Sequence, residues 1–178
     1  MRQLLQPGKL ITLTHPQETQ WEIEKIINEY DNQMDQKDVR QDAPSYAAIK
    51  LSCSAFGEST QAMMRVYVQI PYTNTELEDT ATRAQQAMSY KPEELRAYQI
   101  LGKDRWASKF TPSLLGYQES KQNDSGLVPG GFLTYIVWQI VPGLQLGDYA
   151  GDATWFWDSI KERTERDLIR ALFKETFS

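Results

Sequence analysis

A chain of 178 residues and 20.5 kDa has room for one well-developed core, and its 40% hydrophobic and 24% charged residues argue against wholesale disorder. One histidine, His15, and one cysteine, Cys53, exclude an internal disulfide and any zinc site built from several such ligands within the chain. Nineteen basic and 24 acidic residues give a net charge of −5, and Glu18 to Asp42 alone holds eight acids and three bases. With no basic stripe to neutralise phosphates, nucleic acid is not expected as a partner.

The longest strongly apolar run, residues 132–141, is about ten residues where a membrane-spanning helix needs roughly 20. Residues 1–10 lack a basic stretch followed by an apolar core, so no secretory leader is expected. These features predict a cytoplasmic protein without a membrane span. A Ser-His-Asp or Cys-His hydrolase would have to use His15, whose place just before Pro16 favours a helix-entry or surface role.

In chain order, Pro16 opens a predicted helix over 16–34, because Ile23, Ile26, Ile27, Tyr30 and Met34 recur at spacings of three and four. A polar connection follows over 35–44. Residues 46–56 and 63–70 read as strands joined by a turn at 57–60: Leu51, Cys53 and Ala55 alternate in the first, Val66, Val68 and Ile70 in the second. Helices are predicted over 75–87 and 92–101, the latter with Pro92, Glu93 and Glu94 in its first turn and Gly102 as its stop. A short strand spans 110–118 and a loop 121–131. Residues 132–141 form the strongest strand, apolar enough to be buried on both faces. The glycine-flanked Asp148 and Asp152 read as loop residues. Helices close the chain at 155–160 and 161–176, with Leu168, Ile169, Leu172 and Phe173 as the apolar stripe. The expected fold is α+β in a single domain spanning 1–178, an antiparallel sheet of about four or five strands with packed helices, some of them N- and C-terminal additions (the latter over 154–177).

The segments 110–117 (FTPSLLGY), 129–131 (PGG), 132–143 (FLTYIVWQIVPG) and 64–71 (MRVYVQIP) resemble the N-terminal lobe of fungal protein-kinase-like proteins. The resemblance covers roughly 46–175 and implies a kinase-like small-lobe core over about 46–145. It does not bring the catalytic signatures. No G-x-G-x-x-G segment, no His-Arg-Asp triplet and no Asp-Phe-Gly triplet occurs. Tyr46 to Lys50 (YAAIK) only superficially imitates the lysine motif, and the better-matching strand carries Arg65, which cannot reproduce lysine's phosphate contact. The chain also ends about where a large lobe should begin, so it is either complete or a fragment. Phosphate transfer is not expected.

Candidate site residues follow from chemistry on the strands. Arg65, Tyr67 and Gln69 share the polar side of one strand and are the candidate catalytic groups, able to hydrogen-bond a carbonyl or carboxylate. Tyr135 and Trp138 on the last strand, with Trp155 and Trp157 in the following helix, are the candidate aromatic lining of a substrate pocket. Two functions fit. One is a cofactor-independent cyclase or isomerase, possibly a pericyclase of Diels–Alder type in fungal natural-product biosynthesis, acting on a hydrophobic small molecule without cofactor or metal. The other is an inactive kinase-like lobe that docks a protein partner through aromatic anchors.

Overall fold

Alternation builds the centre of the sheet. In the computed structural model, which describes residues 5–38, 44–142, 160 and 162–177, strand β3 (Tyr46–Ala55) and strand β4 (Gln61–Gln69) form an antiparallel hairpin. Ala47, Ile49 and Leu51 face Val68, Val66 and Met64 across it, all pointing to one side. Gly57 takes φ +79° in the turn, a conformation open to glycine at little cost. Contacts divide the chain into two compact units, Met1–Ile140 and Val141–Ser178.

The predicted N-terminal helix is instead a long strand, β2 (Thr19–Asn32), paired along β3, with a short strand β1 (Leu10–Leu13) on its other edge. The reason is local. Two register shifts, between Ile23 and Lys25 and between Ile26 and Asn28, each insert an extra residue into β2. The extra residues stretch the strand's period of two into spacings of three and four, imitating a helical face. Pro16 lies in the β1–β2 connection, after a cis peptide bond to His15.

Strand β5 (Leu114–Lys121) pairs with β6 (Phe132–Gln139), and β6 lies between β5 and β4, so the order is β1-β2-β3-β4-β6-β5. The sheet therefore has six strands, more than the sequence predicts. It curls until its edges meet: the amide of His15 donates to the Tyr117 carbonyl at 3.2 Å, and the Tyr117 amide returns a bond to His15 at 2.9 Å. The His15 and Tyr117 rings stack at 4.8 Å beside this bridge. Joining the edges satisfies backbone groups that an open sheet leaves unpaired.

The inner face holds the larger core, with Leu13, Trp21, Ile23, Ile49, Leu51, Met64, Val66 and Val137 among its buried residues. The outer face of β4 and β6 carries a second one, built on Ala48, Tyr67, Leu95, Phe132, Ile136 and Trp138. Both faces of β6 are thus covered, as its continuous apolar sequence predicts. Helix α2 (Glu93–Leu101) supplies Leu95 to the outer core, and its C-terminal amide bonds satisfy Tyr98 and Ile100 carbonyls at Gly102. The helical region predicted over 75–87 shrinks to α1 (Thr80–Ala84), capped by the Asp79 side chain on the Thr82 amide.

In the second unit, α3 (Arg163–Phe177) matches the predicted final helix. Leu168, Leu172 and Phe173 are exposed on it, while Asp167 pairs with Arg163 and Arg170. The helix expected over 155–160 lies outside the described residues except for Ile160. Among the described residues, no helix is long and apolar enough to cross a membrane.

Candidate functional site

Strand parity decides where the candidate residues go. Arg65, Tyr67 and Gln69 occupy alternate positions of β4 and share its outer face. Helix α2 lies over that face and brings Glu94 down from its first turn. Arg65 Nη1 reaches Glu94 Oε1 at 3.0 Å, with the two side chains 25% and 20% exposed. The Tyr67 hydroxyl donates to Glu94 Oε2 at 2.9 Å. The Arg65 guanidinium lies over the Trp138 ring, 5.5 Å from its centroid, and Tyr98 stacks on that ring from α2 at 6.0 Å.

Electrostatics make this a closed set. Burial opposes the charge on Arg65, but the Glu94 carboxylate outweighs it, with help from Tyr67, and holds the guanidinium above its ordinary range. Burial, then the Glu94 charge, pushes the Tyr67 phenol well above its ordinary 10. One cation, one carboxylate and one neutral phenol are therefore satisfied by one another. A ligand anion approaching Arg65 competes with a carboxylate already in place.

Gln69 points to the same face and has a different task. Its Nε2 donates to the Gln86 carbonyl at 2.6 Å, and its Oε1 accepts the Met88 amide at 3.1 Å. Gln122 Nε2 donates to the Gln69 carbonyl at 2.9 Å, while Gln122 Oε1 accepts the Val128 amide at 3.2 Å. Gln86 in turn accepts the Tyr72 amide at 3.0 Å and donates to Thr75 at 2.9 Å. These three glutamines bind β4 to the segments before α2 and before β6. Gly131 belongs to the same knot: a Cβ there would stand 2.6 Å from Gln69 Oε1.

Tyr135 lies three residues before Trp138 on the same strand, so it faces the opposite side. It lines a cavity of about 240 Å³ in the inner face with Val66, Val68, Leu133, Leu5 and Leu127. The structure thus joins Arg65, Tyr67 and Trp138, commits Gln69 to the fold and sends Tyr135 to a separate cavity. Trp155 and Trp157 lie outside the described residues. Glu94, the residue that completes the outer cluster, carried only a helix-start signal in the sequence.

A third feature sits at the far end of α2. Ile100, Trp106 and Phe110 are exposed, with the Trp106 and Phe110 rings edge-on at 5.6 Å and Lys109 Nζ 5.1 Å from the Trp106 centroid. Among the described residues no group of three or more His, Cys, Asp or Glu side chains is placed to hold a metal ion. No family model, no curated protein and no solved structure matches the chain.

Proposed function

We propose that this chain is a kinase-like small lobe that binds a partner protein and does not itself transfer phosphate. The observation that carries the reading is the Arg65–Glu94 pair. Kinase small lobes join a strand lysine to a glutamate of the following helix, and that lysine contacts nucleotide phosphates. Here the strand-to-helix pair stands between β4 and α2, with arginine in the lysine's role and Trp138 against its guanidinium. The strand order supports the same reading, since the helix connects β4 to β5 while β6 inserts between them. The pair acts as a strut, with the phosphate-contacting side of the cation occupied.

The docking surface in this reading is the exposed Trp106–Phe110 pair with Lys109 against it, because exposed aromatic groups with a polar neighbour mark interaction sites. A partner recovered with the wild-type chain from its own cells and lost with Trp106→Ser/Phe110→Ser, in a variant that keeps the wild-type melting temperature, supports it. Retention of the same partner by that variant counts against it.

A cofactor-free cyclase or isomerase is the second reading, and the Tyr135 cavity favours it. Arg65 and Tyr67 stand on the other face of the sheet, so such a reaction would depend on the cavity's shape and the Tyr135 hydroxyl. Its test is conversion of a candidate polyene or carbonyl substrate by wild-type protein and not by Tyr135→Phe.

A further inference from the structure

The inner cavity is unlike the rest of the core. Interiors are packed as densely as organic crystals, and gaps beyond the size of a water molecule are few. Here a space of about 240 Å³ persists beside the tightly packed Val66 and Val68, bounded by Leu133, Leu127 and Leu5. Its size is below the roughly 300 Å³ at which sites for drug-sized molecules begin, so its occupant is small.

Three properties of its lining define what would fit. The floor is aliphatic: Val66, Val68 and Leu133 come from adjacent strands in register, Val66 opposite Tyr135 and Val68 opposite Leu133. The Tyr135 hydroxyl makes no hydrogen bond within the described residues, while the uncharged polar side chains beside it are committed elsewhere, Gln122 to Gln69, Phe132 and Val128 and the Asn123 carbonyl oxygen to Ser125. Burial raises the Tyr135 pKa, keeping it a neutral donor at physiological pH. Finally, among the described residues the lining includes a lysine, Lys121, at its rim and no carboxylate. Positive charge near low-dielectric walls draws an anion to such an opening.

We propose that this cavity binds a small apolar carboxylate, its hydrocarbon part against Val66, Val68 and Leu133 and its headgroup accepting a hydrogen bond from the Tyr135 hydroxyl. The site shares its cavity with the cyclase reading but requires no turnover, and it is independent of the kinase-like reading.

Octanoate is a suitable probe because the protein has no chemistry to perform on it, so binding is read apart from catalysis. Titration of the full chain, followed by valine and leucine methyl resonances, is expected to give saturable shifts confined to Val66, Val68, Leu127 and Leu133. Tyr135→Phe keeps the ring and is expected to weaken octanoate about tenfold, the scale of a lost hydrogen bond to a charged group. Octan-1-ol is expected to bind more weakly than octanoate to the wild-type chain. Val68→Leu places one more methylene group in the cavity; it should raise the melting temperature while weakening octanoate. Absence of saturable shifts at those methyl groups overturns the site. Equal affinity for octanoate and octanol, unchanged by Tyr135→Phe, overturns the carboxylate assignment.

Discussion

Arg65 and Glu94 form a 3.0 Å ion pair between the middle of β4 and the first turn of α2, and Tyr67 donates to the second oxygen of the same carboxylate. The helix is held to the sheet by charge as well as by Leu95. Glu94 also sits where the positive end of the helix dipole favours an acid.

Removing either partner leaves the other partly buried and uncompensated. Arg65→Ala and Glu94→Gln are each expected to cost about 1–3 kcal/mol, a discount from fully buried pairs because both side chains keep some solvent contact. The double variant should cost less than the sum, with a coupling of about 1–2 kcal/mol. Chemical denaturation of the four proteins measures this; additive losses would mean the pair contributes nothing as a pair.

Gln69 is expected to matter more for folding than for any chemistry. Gln69→Leu strands the buried Gln86 carbonyl and the half-buried Met88 amide, at a cost of about 2–4 kcal/mol. The measurement is a urea midpoint at unchanged slope. A loss below about 0.5 kcal/mol would show that water replaces both bonds.

The edge-to-edge closure of the sheet depends on Gly116. A Cβ there would lie 2.9 Å from Leu13 Cδ1 and 3.1 Å from the His15 carbonyl oxygen. Gly116→Ala is therefore expected to cost about 1–3 kcal/mol as an overpacked site. It should also speed hydrogen exchange at the His15 and Tyr117 amides while leaving β3 and β4 protected. Uniform loss of protection would instead place Gly116 in the global unfolding unit.

High pH should unfold the protein before its backbone is otherwise affected. Burial is the largest cause that pushes Tyr46 and Tyr98 up to about 12, and it raises Tyr67, Tyr90 and Tyr135 as well. The folded state keeps these phenols neutral to higher pH than the unfolded chain does. Their stabilising contribution is complete below the ordinary pKa of 10 and is lost as pH rises from 10 towards 12. Ionisation of these five phenols, followed by their own ring resonances, should therefore coincide with loss of the folded circular-dichroism signal. Ionisation of these same rings near the ordinary value, before unfolding, would contradict their burial.

What the sequence revealed depended on whether period two survived. It survives in β3 and β4, and these strands were legible, with Arg65, Tyr67 and Gln69 assigned to one face; β6 was legible instead from its continuous apolar run. In β2 the two extra residues beside Ile23 and Ile26 disguised a strand as a helix. Parity also held information about the site: Tyr135 and Trp138 are an odd number of positions apart on an unbulged stretch of β6, which separates them onto opposite faces. The pairing of Arg65 with Glu94 was not legible, because it depends on where α2 settles against the sheet. The cavity beside Tyr135 brings Leu5 and Lys9 from before β1 against β4, β6 and the loop after β5, a long-range event with no local signature.

The most direct measurement is a titration of the full chain with magnesium and ATP, followed by backbone amide shifts of β4 and α2 and accompanied by an assay for phosphate transfer to a generic protein substrate. A strut between Arg65 and Glu94 with Trp138 against it predicts no saturable shifts at these residues and no transfer. Saturable ATP binding centred on Arg65, abolished by Arg65→Ala in a folded protein, would contradict a structural role for the pair and assign nucleotide binding to this face of the sheet.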